Sequence, residues 1–99
     1  MKTIEGYWYN DDNRNFPMPV ENTIDQSIKA VFVKKLRLVE SKAKRDAYMG
    51  SSICRLCKKV NGSEEYVYTG WFWPSGYLHY VEVHNVGPSR KFYEFIMGL

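Results

Sequence analysis

Cys54-Arg55-Leu56-Cys57 and, further along the chain, His79-Tyr80-Val81-Glu82-Val83-His84 contain both cysteines and both histidines of this protein. The order Cys-x2-Cys followed by His-x4-His is typical of a four-coordinate structural zinc site. Two cysteines separated by two residues can lie on a tight turn with both sulfur atoms directed at one point, and two helical histidines can direct ring nitrogens at the same point. We therefore predict a structural Zn²⁺ with four ligands: Cys54, Cys57, His79 and His84.

Two other interpretations of these four residues stay open. Cysteine is among the residue types most often buried, so the cysteines and histidines could be ordinary buried side chains. A redox-active dithiol is disfavoured, because the thioredoxin-like βαβ context that it needs is absent from the sequence. The metal site is the interpretation that the spacing favours.

The segment between the two ligand pairs is longer than in a DNA-reading zinc finger, and its pattern predicts a β-hairpin. In chain order we expect a turn, a strand, a second turn and a returning strand at Asn61-Gly62-Ser63, Tyr66-Val67-Tyr68, Thr69-Gly70 and Trp71-Phe72-Trp73. Strand alternation places Trp71 and Trp73 on one face and Phe72 on the other. We expect Trp73 to lie in the core.

A helix that carries both histidines is predicted after Pro74-Ser75-Gly76, with Ser75 as its N-cap. Positions five apart on a regular helix diverge by about 140°. We therefore expect the last turn, around His84, to be loosened so that both rings reach the metal.

The N-terminal half predicts a short strand and one long helix. Tyr7-Trp8-Tyr9 favours a strand and Asn10-Asp11-Asp12-Asn13 a turn. Thr23 and Gln26 form a capping-box pattern that opens the helix. Apolar residues then recur at helical spacing: Ile24, Ile28, Val31, Phe32, Leu36, Val39, Ala43 and Ala47. The opposite face is basic, with Lys29, Lys34, Lys35, Arg37, Lys42, Lys44 and Arg45.

A last short helix is predicted near the C-terminus, after a connector at Asn85-Val86-Gly87-Pro88. Ser89 is a suitable N-cap, and the apolar residues of this helix are spaced to face the core: Phe92, Phe95 and Ile96. Lys91 and Tyr93 are expected on the solvent side.

Together these elements predict a small α+β domain over residues 1–99, with a long N-terminal helix and a zinc-stapled β-hairpin plus helix of the zinc-finger-like or treble-clef-like type. We divide it into residues 1–47 (strand and long helix) and 48–99 (the zinc-binding module). The net charge of +3 is compatible with nucleic acid without being diagnostic of it. No apolar run suggests a membrane span, the first residues do not resemble a signal peptide, and two closely spaced cysteines fit a reducing cytoplasmic setting.

The C-terminal half also resembles a family of small uncharacterised bacterial and phage proteins. The shared motif reads, in this chain, Cys54-Arg55-x-Cys57, Asn61-Gly62-Ser63-x-Glu65, Trp73-Pro74-x-Gly76-x-x-His79-Tyr80-Val81-x-x-His84-x-Val86-x-Pro88, with Pro17 and Pro19 upstream. Ser75 and Tyr77 depart from the family, which favours an acidic residue and a leucine there. The resemblance implies a module of this type and no particular activity.

Two functional hypotheses from different classes follow. The first is a non-catalytic module that binds a protein or a nucleic acid. If the protein is a phage-type effector, as the resemblance suggests, its partner would be a host protein whose surface it occupies. Arginine, lysine and aromatic residues suit phosphate contacts with base stacking, and equally a protein interface. The partner-binding candidates are Arg55, Lys58, Lys59, Lys34, Lys35, Arg37, Tyr66, Tyr68 and Trp71. The second is a small metal-dependent nuclease or hydrolase, which would need a zinc with three protein ligands or a second metal.

Overall fold

A mixed β-sheet and the helices packed against it make up this α+β fold, which confirms the predicted fold class at that level. The computed structural model describes residues 3–8 and 14–99. Its elements in chain order are β1 (Thr3–Ile4), α1 (Gln26–Lys42), β2 (Lys44–Ile53), β3 (Val60–Tyr68), β4 (Trp71–Pro74), α2 (Tyr77–His84) and α3 (Arg90–Met97). The sheet order is β1-β4-β3-β2, with β1 parallel to β4 and the other neighbours antiparallel.

The predicted hairpin between β3 and β4 is confirmed. Tyr68 pairs with Trp71 and Tyr66 with Trp73, so that Thr69 and Gly70 form a two-residue turn. Both turn residues have positive φ, 44° and 87°, which is the conformation that two-residue hairpin turns need.

The prediction of a turn at Asn61-Gly62-Ser63 is wrong, because β3 already begins at Val60. Gly62 pairs with Ser52 of β2. A Cβ atom at Gly62 would lie 2.3 Å from Oγ of Ser75 and 2.8 Å from the nitrogen of Gly76. This glycine therefore permits a close approach between β3 and the chain that leads into α2.

The long helix is shorter at both ends than predicted. Asp25 is the N-cap, and its carboxylate accepts a hydrogen bond from the Ser27 nitrogen at 2.9 Å. Thr23, the predicted cap, donates instead to the carbonyl of Val20. α1 has 17 residues, and in the part of the chain that the structure describes no helix is long and apolar enough to cross a membrane.

The C-terminal end of the predicted helix forms a strand instead. Ala43 is the C-cap of α1, and Lys44, Arg45 and Ala47 belong to β2. Lys44 pairs with Val67 and Arg45 with Tyr66. Backbone pairing with β3 therefore outweighs the helical spacing of Ala43 and Ala47. This pairing is a contact between distant parts of the sequence, and local periodicity carries no information about it.

The N-terminal strand lies earlier than predicted. β1 is Thr3–Ile4, whereas Tyr7 and Trp8 follow it outside any strand. The predicted strand residue Tyr9 and the predicted turn at 10–13 lie outside the described residues.

Glu5, next to β1, is a buried carboxylate. It accepts hydrogen bonds from the Tyr77 hydroxyl at 3.2 Å and from the nitrogen and hydroxyl of Ser89, both at 2.8 Å.

An aromatic core joins the helices to the sheet. Phe92 of α3 lies 5.3 Å from Trp73 and 5.4 Å from Tyr77 between ring centroids. Trp73 is 0% exposed, which confirms its predicted place in the core.

Ser89 caps α3 as predicted, and its hydroxyl accepts a hydrogen bond from the Phe92 nitrogen at 3.2 Å. The prediction that Tyr93 faces solvent is wrong, because its ring stacks on Phe32 at 6.0 Å.

Glu40 of α1 is a half-buried carboxyl group that accepts a hydrogen bond from Nε1 of Trp73 at 3.0 Å. Burial raises the pKa of Glu40 to about 7, while the bond from Trp73 and the charge of Arg37 act in the opposite direction. An unperturbed glutamate has a pKa of 4.5. The folded state therefore binds this proton more tightly than the unfolded state, and the associated stability is lost as the pH rises from about 4.5 to about 7.

Replacing Glu40 by glutamine should remove this pH dependence. At about pH 8 we expect Glu40→Gln to be more stable than the wild type by on the order of 2 kcal/mol, because the amide is neutral and can still accept the Trp73 hydrogen bond. Denaturant unfolding at about pH 5 and about pH 8 measures the difference. Glu94→Gln, at an exposed position of α3, is the control and should change little. An equal effect of Glu40→Gln at both pH values would contradict the prediction.

Candidate metal centre

Cys54, Cys57, His79 and His84 converge in the structure. One ligand atom from each lies within 4.8 Å of the ligand atoms of the other three. The Sγ atom of Cys54 is 3.4 Å from Nε2 of His84, and the Sγ atom of Cys57 is 3.4 Å from Nε2 of His79. The four residues therefore lie close enough to hold a metal ion.

The geometry of the donor set fits a tetrahedral ion. Zinc binds thiolate sulfur at about 2.3 Å and imidazole nitrogen at about 2.0–2.1 Å, so a sulfur and a nitrogen on one tetrahedral ion are roughly 3.5 Å apart. The two measured sulfur–nitrogen distances of 3.4 Å agree with this value. Two thiolates and two imidazoles are also a donor set that zinc prefers.

The two cysteines lie on the turn that connects β2 to β3. The Lys58 nitrogen donates to the Cys54 carbonyl at 2.9 Å, and the Cys54 nitrogen donates to the Lys59 carbonyl at 2.8 Å. Lys58 adopts a left-handed conformation, with φ of 67°, which lets the chain reverse directly after Cys57. These contacts form a short loop, residues 54–59, that we call the knuckle. It places both sulfur atoms on one side.

The two histidines are the third and the last residues of α2. The helix begins after Gly76 without a side-chain cap, so the prediction of Ser75 as N-cap is wrong. The Ser75 hydroxyl instead accepts from the Glu64 nitrogen at 3.2 Å. The expected loosening of the last turn is also absent, because α2 is α-helical through His84. Both histidines use Nε2, a ring atom far from the backbone, which lets diverging side chains reach one point.

The C-terminal end of α2 is held by residues that the sequence analysis did not connect with the site. The Asn22 nitrogen donates to the His84 carbonyl at 3.2 Å, and the Thr23 nitrogen donates to the Asn85 carbonyl at 2.9 Å. Lys29 donates to Oδ1 of Asn85 at 2.6 Å. Asn85 has φ of 57° and ends the helix. An asparagine directly after a helical segment is a known signal for such an end.

The electrostatic surroundings favour the protonation states that metal ligands need. Burial raises the pKa of the Cys54 thiol, but hydrogen bonds from the Cys57 and Leu56 nitrogens act against burial, and the net pKa is lowered. Burial is the main cause that lowers the pKa of His79, and the neighbouring charges of His84 and Lys59 lower it further. A thiolate and a neutral imidazole are the forms that bind a metal ion.

The basic partner-binding candidates fall into two groups. Lys58 and Lys59 are exposed on the knuckle, and Arg55 lies between the two cysteines. On α1, Arg37 donates two hydrogen bonds to the Glu82 carboxylate, at 2.9 and 2.8 Å.

The other α1 candidates differ in their surroundings. Lys35 donates to the Leu99 carbonyl, and Lys34 is exposed. Lys34, Lys58 and Lys59 are thus exposed alike, and Lys58 donates to the Arg55 carbonyl at 3.0 Å.

The aromatic candidates are half-buried and pack against the core. Tyr66 stacks on Trp73 at 5.8 Å, Trp71 stacks on Phe95 at 5.4 Å, and Tyr68 lies 6.5 Å from Phe95. Much of their ring surface is therefore used within the molecule. Their role in partner binding stays a prediction.

Comparisons of the chain with protein-family models, curated proteins and solved structures found no match. The functional argument therefore depends on the site itself.

We expect the purified chain to bind one divalent ion through these four residues. Co²⁺ should give thiolate-to-cobalt absorption, and Zn²⁺ should displace it. Cys57→Ser and His84→Ala should each weaken binding by at least about 100-fold, because each removes a donor. A chelator should lower the melting temperature of the wild type.

Glu21→Gln is the graded control for this experiment. The Glu21 carboxylate lies 3.9 Å from Nδ1 of His84, on the side of the ring away from the sulfur atoms. Losing this charge should cost about tenfold in metal affinity, since such outer groups orient the ligand without binding the ion. Identical melting with and without chelator, together with no cobalt spectrum, would show that the four side chains form only S–H···N contacts.

Proposed function

We propose that this protein is a non-catalytic binding module held by a structural Zn²⁺, and that its knuckle contacts a macromolecular partner. The convergence of the four donor atoms is the observation that carries the proposal. The order of knuckle, β-hairpin and histidine-bearing helix supports a treble-clef-like arrangement around the ion.

A structural role for the metal follows from the number of donors. With two thiolates and two imidazoles bound, a tetrahedral zinc has no position for a water molecule. Hydrolytic catalysis needs such a water to be activated. The alternative of a small metal-dependent nuclease or hydrolase would require one of the four residues to leave the ion.

The knuckle is the surface that best suits a partner. Lys58 and Lys59 are exposed, and neither forms an ion pair with any residue in 3–8 or 14–99. The turn is fixed at Cys54 and Cys57 when these ligands bind the ion. Fixing a loop before it meets a partner reduces the ordering cost of association.

The charge of the knuckle supports an anionic partner. Nucleic acid is one such class, because lysine and arginine side chains replace the counterions of its phosphates. A protein with an acidic surface is the other class, and electrostatic complementarity would again speed association. The two classes differ in how steeply binding depends on salt.

Reversing the charge of the knuckle should therefore weaken binding in a salt-dependent way. The metal-loaded protein is titrated into labelled single-stranded DNA or RNA at several salt concentrations, and fluorescence anisotropy is recorded. For Lys58→Glu with Lys59→Glu, the slope of log K against log salt should fall by roughly 1.4, since each phosphate contact contributes roughly 0.7 for single strands. Lys34→Glu with Lys42→Glu, at two exposed positions of α1, reverses the same number of charges and is the matched control, which should leave the slope nearly unchanged.

The outcomes separate the two partner classes. Absence of binding to single- and double-stranded nucleic acid even at low salt would exclude nucleic acid. Acidic proteins retained by the metal-loaded protein and lost with the Lys58→Glu, Lys59→Glu variant would then identify the other class. A partner that binds equally well to both, or to the metal-free chain, would contradict the proposed role of the knuckle.

A further inference from the structure

The two cysteines of the metal centre differ in their exposure to solvent. Cys54 is 0% exposed, whereas Cys57 is partly exposed. Lys58 and Lys59, which follow Cys57 in the knuckle, are exposed as well. The susceptibility of a cysteine to oxidation follows its exposure and its thiolate character. Cys57 is therefore the cysteine that a small oxidant in solution reaches more readily.

The sulfur atoms of the two cysteines are close neighbours. They lie within 4.8 Å of each other, and the Cys57 nitrogen donates a hydrogen bond to Sγ of Cys54 at 3.5 Å. Each sulfur atom also contacts a different histidine at 3.4 Å, Cys54 that of His84 and Cys57 that of His79. A disulfide bond is about 2.0 Å long, so its formation requires both sulfur atoms to turn from the histidines towards each other. A bond between the cysteines therefore competes with the contacts that join the knuckle to α2.

We infer that Cys57 is a site of oxidation by hydrogen peroxide, with Cys54 as the resolving cysteine, and that the resulting disulfide releases the metal ion and detaches the knuckle from α2. The inference rests on the proposed function, because it takes the ion to be the structural zinc proposed there. It adds a modification that regulates the same site.

The reaction needs one hydrogen peroxide molecule and the two sulfur atoms. A sulfur atom that binds a metal ion is already deprotonated, and the thiolate is the nucleophilic form. Sγ of Cys57 attacks one peroxide oxygen, the O–O bond breaks, and the other oxygen leaves as hydroxide and takes up a proton to form water. Sγ of Cys54 then attacks the sulfenic acid on Cys57, the S–O bond breaks, and a second hydroxide leaves and is protonated. Two electrons pass from sulfur to peroxide, so that two thiolates, one peroxide and two protons become one disulfide and two water molecules.

The disulfide does not replace the ion as a link between the knuckle and α2. An ion bound by all four side chains joins the two elements, since each element supplies two ligands. The disulfide joins only the two cysteines, and the loop that it closes is so short that it stabilises the chain little. It also removes both thiolates, the anionic donors that hold the metal. His79 and His84 then lose their sulfur contacts, and the small cluster of Cys54, Tyr80 and Val86 is left to pack α2 on the knuckle.

The experiment follows zinc and thiols together in the zinc-loaded wild type. Hydrogen peroxide is added, released zinc is measured with a chromogenic chelator, free thiols are counted with a thiol reagent, and the intact mass is recorded. We expect one zinc ion to be released for each disulfide formed, with a mass loss of two hydrogen atoms and no added oxygen. A thiol reductant followed by Zn²⁺ should restore the original protein.

Two variants assign the roles of the cysteines, both treated in excess Zn²⁺. Cys54→Ser lacks the resolving sulfur, so the sulfenic acid on Cys57 should persist and be trapped by dimedone. Cys57→Ser keeps only the buried sulfur and should react with peroxide at least about tenfold more slowly, because exposure governs the reaction. Partial alkylation of the zinc-loaded wild type with iodoacetamide, followed by peptide mapping, gives the same order without a substitution. It should label Cys57 before Cys54 even if the variants do not fold.

Amide hydrogen exchange reports whether the knuckle detaches from α2. The Arg55 nitrogen of the knuckle donates to the Tyr80 hydroxyl of α2 at 2.8 Å, so its exchange should accelerate at least about tenfold in the oxidised protein. The Glu5 nitrogen donates to the Phe72 carbonyl at 3.0 Å, within the sheet and away from the knuckle. Its exchange is the control and should not change.

The contrary results are distinct. Zinc and both thiols retained under peroxide that oxidises free cysteine would overturn the inference and leave the structural zinc site as proposed. Sulfinic or sulfonic acid in place of a disulfide, disulfide-linked dimers, or zinc retained by the disulfide form would also overturn it. Labelling of Cys54 before Cys57 would overturn the assigned roles. Failure of the proposed function is recognised earlier, because the chain would then hold no zinc before peroxide is added.

Discussion

The convergence of the knuckle and α2 on one point is the constraint on which the functional half of the molecule depends. The knuckle belongs to the β2–β3 connection and α2 follows β4, so the meeting of their side chains fixes the helix relative to the sheet edge. Of the four residues only Cys54 is buried, while the other three are partly exposed, so apolar packing contributes little to holding them together. A bound ion would add a stabilising contribution, since metal binding to a folded site stabilises the fold.

The hydrophobic packing around the site shows why such a contribution matters. The main core is built from large rings and aliphatic residues, among them Phe32, Trp73 and Phe92. The site has a separate and smaller cluster, in which Cys54, Tyr80 and Val86 are buried. So few apolar residues bury little surface, and the knuckle depends for its conformation on backbone hydrogen bonds and on the contacts of its two cysteines with the two histidines of α2.

The candidate site could be predicted from the sequence because it depends on rare residue types at a characteristic spacing. The hairpin at Thr69-Gly70 and the Ser89 cap were predictable for a similar reason, since local chemistry decides them. The strand at Lys44–Ile53 was not, because its pairing with β3 is a long-range contact that overrides helical spacing. The contact of residues 22–24 with the end of α2 could not be predicted for the same reason, because its hydrogen bonds join residues that are far apart in sequence.

Gly62 and Gly76 connect the metal centre to the sheet through one close contact between β3 and the start of α2. Their lack of side chains lets β3 approach the start of α2, and the direction of that start decides where His79 points. The same close approach surrounds the Asn61 amide and removes it from water. A shift of α2 caused by loss of the ion would therefore also disturb its packing against Asn61 of β3. The metal centre and the contact between β3 and α2 are thus expected to act together, because one rigid contact between a strand and a helix positions His79 and encloses the Asn61 amide.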